Sequence, residues 1–139
     1  MKKIYSKKTN QLLHIINRFD DINGRNELIP PNNFLQVATI KASKSQKFDS
    51  HYHIWKENTF DQNIAQECWV ILKGEVEITY YDINEDYLDK EILKVGDSSI
   101  TLAGGHGYKI LQDDTVVMES KSGPYLNRDL DKKYFKGKQ

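Results

Sequence analysis

Residues 66–82 read QECWVILKGEVEITYYD, and the rest of the chain takes its meaning from this stretch. Everything from Cys68 to Leu72 is apolar. An extended strand places alternate side chains on opposite faces, so residues 67–73 suit a strand covered on both sides. Lys73-Gly74 turns the chain into a second strand over 75–81. Asn84-Glu85-Asp86 turns it again, into 87–94. Val95-Gly96-Asp97 leads to 98–103, Gly104-Gly105 to 106–111, and an Asp113-Asp114 turn to 115–121.

Upstream, residues 34–41 are apolar and β-branched enough for a strand, 41–47 form a polar turn region, and 48–54 are extended. Residues 11–18 fit a short helix or a strand equally. Asn23-Gly24 marks a turn and Pro30-Pro31-Asn32-Asn33 a break. Residues 55–66 read as a long loop, a lid over a barrel mouth or an elaborated surface loop. The sum is about eight short strands with turn residues every eight to twelve positions, the spacing of an all-β barrel or sandwich. With 139 residues a single domain follows. Residues 1–33 are expected as an N-terminal arm packing on the barrel, 34–121 as the barrel and 122–139 as a C-terminal tail.

Charged residues make up 29% of the chain and the formal net charge is zero. No basic excess argues for nucleic acid and no single-sign field for a membrane surface. Lys2, Lys3, Lys7 and Lys8 read as a solvated arm. The apolar window at 12–16 is too short for a signal peptide or a membrane span, so a cytoplasmic protein is expected. A lone cysteine, Cys68, excludes an internal disulfide and a multi-cysteine zinc site, and its apolar surroundings suit a buried, inert thiol.

His51 and His53 lie two positions apart, so on an extended strand both imidazoles point to one side. Two neutral nitrogens at that spacing can grip one metal ion, or one can act as base while the other orients a ligand. Downstream, six residues separate Glu67 from Gly74, and nine separate Gly96 from His106. The order His-x-His, Glu-x6-Gly, Gly-x9-His resembles the two motifs of the cupin superfamily over residues 34–121. The stretches FLQVATIK, HYHIW, GDSSITLAGGHGY and KSGPY are similar to a group of small cupins associated with surface-polysaccharide gene clusters.

The resemblance implies a cupin-type double-stranded β-helix, a jelly-roll barrel. It also implies that His51, His53, Glu67 and His106 hold one divalent transition metal inside it: Fe, Mn, Ni, Co or Zn. Thirteen residues, 54–66, separate His53 from Glu67, a longer gap than the motif usually has, and Gln66 is an alternative fourth ligand. Leu102 stands where the second motif carries proline, and His106 arrives one residue early. Three neutral imidazoles and one carboxylate would leave a divalent ion with a net charge of about +1.

Trp69 shares parity with Glu67, and Tyr108 with His106, so with Trp55 these aromatics line a pocket or serve as ordinary core. Tyr108 and Glu119 are the candidate catalytic groups, Glu119 as general base or supporting acceptor unless it faces solvent. His14 has no companion in sequence and reads as a packing histidine.

The expected function is binding of, or chemistry on, a small polar molecule such as a sugar or sugar nucleotide. As an enzyme, the chain would be a metal-dependent isomerase, epimerase or dioxygenase. A metal-independent sugar-nucleotide ketoisomerase using the His-x-His pair as acid and base, and a non-catalytic small-ligand sensor, are the alternatives. The outer face of 67–73 needs a cover, from the N-terminal segment or from the second subunit of a homodimer.

Overall fold

Both halves of the 66–82 stretch are extended, and the chain around them builds antiparallel sheets. The computed structural model describes residues 1–41, 43, 44, 46, 47, 64–122 and 133–135. In chain order the strands are β1 (Lys2–Tyr5), β2 (Leu12–Asn17), β3 (Arg25–Glu27), β4 (Ala38–Ile40) and β5 (Glu67–Lys73). They continue as β6 (Val76–Tyr81), β7 (Tyr87–Leu93), β8 (Ser98–Thr101), β9 (Gly105–Ile110) and β10 (Val116–Lys121). A single 3-10 turn occupies Phe19–Asp21, and no α-helix occurs among the described residues.

A larger sheet has the order β1-β2-β8-β5-β10, a smaller one β7-β6-β9, and β3 and β4 form a two-stranded ribbon. Every pairing is antiparallel. The chain is thus all-β, with its two main sheets face to face in a sandwich or barrel-like arrangement. Ile4, Ile16 and Ile71 of the larger sheet meet Val76, Ile78, Tyr80 and Leu93 of the smaller one in a buried cluster. Burying aliphatic side chains of this size stabilises by about 1.5–3 kcal/mol each.

The other face of the larger sheet is covered by the same chain. Leu28, Ile29, Leu35 and Val37, which link β3 to β4, pack with Ile15, Cys68, Val70, Ile100 and Leu102. The Leu28 amide donates to the Val37 carbonyl at 2.9 Å, closing this cover on itself. Residues 28–37 therefore cover Cys68 and Val70 on the outer face of β5, while Leu72 on the same face stays 53% exposed.

Some expectations change. Residues 11–18 are a strand, and β2 sits inside the larger sheet between β1 and β8. The segment 1–33, expected as an arm on the barrel, contributes both β1 and β2 to that sheet. Lys2 is not simply solvated: its Nζ meets Asp89 at 2.5 Å and Glu91 at 2.7 Å on β7. The strand expected over 34–41 is confined to Ala38–Ile40, because Leu35 and Val37 are drawn onto the larger sheet. The expected strand at 48–54 lies outside the described residues, as does all but the end of the 55–66 loop.

One side of the sandwich is closed by ions. Arg18 reaches Glu91 at 2.8 Å and Asp97 at 2.7 Å, beside the Lys2 pairs. Partly exposed pairs contribute about 0–1 kcal/mol each, so they set alignment more than stability. The opposite side, where β5 and β10 face β9, is closed by aromatic and titratable side chains. At the C-terminus, Phe135 packs edge-on against Tyr81, with ring centroids 4.9 Å apart.

Candidate functional site

Register alone gathers the polar residues of the sandwich interior. Residues directly opposite in an antiparallel pair share a face. Ile4 pairs with His14, His14 with Thr101, Thr101 with Glu67 and Glu67 with Lys121, forming one row across all five strands of the larger sheet. The next row runs Lys2, Ile16, Ser99, Trp69, Glu119. On the smaller sheet His106 lies opposite Tyr80 and Tyr108 opposite Ile78, so both share the inward face of those core residues.

His106 is placed by the turn before it. Gly104 has φ +80°, in the left-handed region, and a Cβ there would lie 2.6 Å from the Tyr81 carbonyl oxygen and 3.2 Å from His14 Nε2. Only glycine fits that corner without strain.

Across the gap, His106 Nε2 and Glu67 Oε1 are 3.2 Å apart. The Tyr108 hydroxyl donates to the same Oε1 at 3.1 Å. A carboxylate that is only 8% exposed needs such partners, because desolvating an unpaired charge is costly. Tyr108 stacks on Trp69 with centroids 3.7 Å apart and planes 2° from parallel. The indole N–H of Trp69 donates to Glu119 Oε2 at 3.1 Å. Burial first, and the Glu67 charge second, push the Tyr108 hydroxyl far above its ordinary pKa, so it remains a protonated donor. His106 Nδ1 is buried with no hydrogen-bond partner among the described residues.

Neighbouring candidates have other duties. The Gln66 amide is committed to the cover: Oε1 accepts from the Leu35 amide at 2.8 Å, and Nε2 donates to Asn33 Oδ1 at 3.1 Å and the Leu102 carbonyl at 3.4 Å. Glu67, not Gln66, meets His106. His14 is a satisfied core histidine. Its Nε2–H donates to the Tyr81 carbonyl at 3.2 Å, which leaves Nδ1 to accept from Thr101 Oγ1 at 3.1 Å. Burial lowers its pKa to about 4, and the nearby His106 adds to the effect against the opposing pull of that carbonyl. Cys68, on the covered face, has its thiol pushed up to about 11 by burial and then by the Glu67 charge.

Of the residues singled out in the sequence, the structure brings Glu67, His106, Trp69, Tyr108 and Glu119 together. His51, His53 and Trp55 lie outside the described residues. Sequence reasoning missed Thr101, Ser99 and Lys121, although Lys121 shares parity with Glu119. Ser99 Oγ is 2.9 Å from the Tyr80 hydroxyl at the heart of the sandwich.

The donor set can be tested against a divalent metal. Adjacent ligand atoms around a first-row ion, each about 2.1 Å from it, lie about 3 Å apart. The Glu67–His106 separation has this value, and a carboxylate oxygen with an imidazole nitrogen suits Fe, Mn, Co, Ni or Zn. The pair fits. Among the described residues no group of three or more His, Cys, Asp or Glu could hold a metal. No helix among them is long and apolar enough to cross a membrane. In comparisons with known proteins, no family model matches the chain, and no curated protein or solved structure matches it.

Proposed function

We propose that the chain is a cupin, a jelly-roll barrel holding one divalent transition metal and acting on, or binding, a small polar molecule such as a sugar or sugar nucleotide. Glu67 and His106 are two of the ligands in this reading, with His51 and His53 the other two. The observation that carries it is the 3.2 Å approach of Glu67 Oε1 and His106 Nε2, delivered from different sheets to one point between them. A bound divalent ion supplies Lewis acidity, polarising a carbonyl oxygen or lowering the pKa of a coordinated water.

The chain's own groups do the rest. Tyr108 keeps the Glu67 carboxylate hydrogen-bonded, and its ring stacks on Trp69 beside the site. Glu119 faces solvent at the rim and serves as the acceptor that holds the Trp69 indole N–H. Elemental analysis of protein purified without chelator tests the reading. About one equivalent of metal is expected in wild type and little in His106→Ala. No stoichiometric metal, with added Mn²⁺ or Zn²⁺ bound equally by both proteins, contradicts it.

A second reading needs no metal: a sugar-nucleotide ketoisomerase that uses the His51–His53 pair as acid and base. Activity that survives EDTA selects it. A sensor without turnover differs from both in giving ligand-dependent thermal shifts and no product.

A further inference from the structure

Glu67 and Trp69 lie two positions apart on β5, and His106 and Tyr108 two apart on β9, all four on inward faces. Two bridges therefore cross the gap side by side. One joins Glu67 to His106 and the other stacks Trp69 on Tyr108. Tyr108 belongs to both, because its hydroxyl donates to Glu67 Oε1 at 3.1 Å while its ring lies flat on the indole. The indole is itself held at its N–H by Glu119.

We propose that Tyr108 is the positioning residue of the Glu67–His106 pair. Its hydroxyl fixes the carboxylate, and its ring, stacked on Trp69, sets the distance between the two strands that carry the ligands. The inference rests on the metal reading of those two residues. The physical reason is ordering. A free glutamate must give up rotamer freedom when it binds an ion, and here that loss is already taken in folding. Partners of metal ligands typically change metal affinity by about 10–100-fold when removed.

The test is Zn²⁺ titration calorimetry on folded, metal-free protein, with Co²⁺ visible absorption as a readout of ligand geometry. Tyr108→Phe keeps the ring and its stack and removes only the hydroxyl. The expected result is Zn²⁺ binding weakened about 10–100-fold with unchanged stoichiometry, and a shifted Co²⁺ band. A purely structural role lowers the melting temperature but leaves both untouched. Wild-type affinity and an unshifted band in folded Tyr108→Phe overturn the proposal.

Trp69→Leu is the second arm, removing the stack and leaving the hydroxyl. It too is expected to weaken Zn²⁺ and shift the band, and wild-type behaviour overturns the spacing role. A wild-type chain that binds no Zn²⁺ fails the metal reading itself and takes this inference with it. Failure of the variants alone leaves that reading standing.

Discussion

His14 and Gln66 show how single polar residues are used inside this sandwich. The folded pKa of His14, about 4, lies below the ordinary value of 6.5. As pH falls below 6.5 the unfolded chain takes up a proton that the folded chain refuses until about 4. The stabilisation is therefore whole above 6.5 and lost between 6.5 and 4, an effect of about 3 kcal/mol. Urea midpoints at pH 7 and pH 4.5 check this, with the wild type expected to lose more stability across the interval than His14→Gln. An equal loss in both proteins contradicts it. Gln66→Leu strands the Leu35 amide and is expected to cost about 1–3 kcal/mol in urea unfolding. It should leave Zn²⁺ affinity unchanged, whereas Glu67→Gln should lose it. Weakened binding in Gln66→Leu would return that residue to the ligand set.

At the scale of elements, legibility followed the number of apolar residues per strand. β5 coincides with the run read from 67–73 because five successive apolar residues between Glu67 and the Lys73-Gly74 turn mark a short extended segment. β6 to β10 fall within a few residues of their expected bounds, each fixed by turn residues such as Gly74, Gly96 and Asp114 with positive φ. β1 was unreadable because Lys2–Tyr5 buries only Ile4, and the acids that hold Lys2 lie almost ninety residues away. The sequence shows that the outer face of 67–73 needs a cover but not that Leu28 to Val37 form it, since nothing local distinguishes an apolar strand from an apolar lid. The same holds within the site. Parity aligned Trp69 with Glu67 and Tyr108 with His106, but the meeting of those pairs depends on β5 and β9 belonging to different sheets. Ile29→Ala, which thins the cover over Ile15, Cys68 and Ile100, is expected to destabilise by about 2–4 kcal/mol in urea unfolding, leaving the Glu67–His106 contact intact.

The whole molecule is a sandwich closed differently along its two sides. Lys2 and Arg18 bind Asp89, Glu91 and Asp97 on one side. On the other, Trp69 stacks on Tyr108 and Glu67 faces His106. The ionic side is satisfied within the chain, whereas the second brings a carboxylate and an imidazole together at the spacing of metal ligands. We propose that an ion belongs between them. The most direct test is a crystal of protein loaded with Zn²⁺ or Co²⁺, measured at the absorption edge of the metal. The expected result is one anomalous peak about 2.0–2.2 Å from both a Glu67 carboxylate oxygen and His106 Nε2. An occupied metal elsewhere in the chain, or no peak between β5 and β9 in loaded crystals, would contradict the claim.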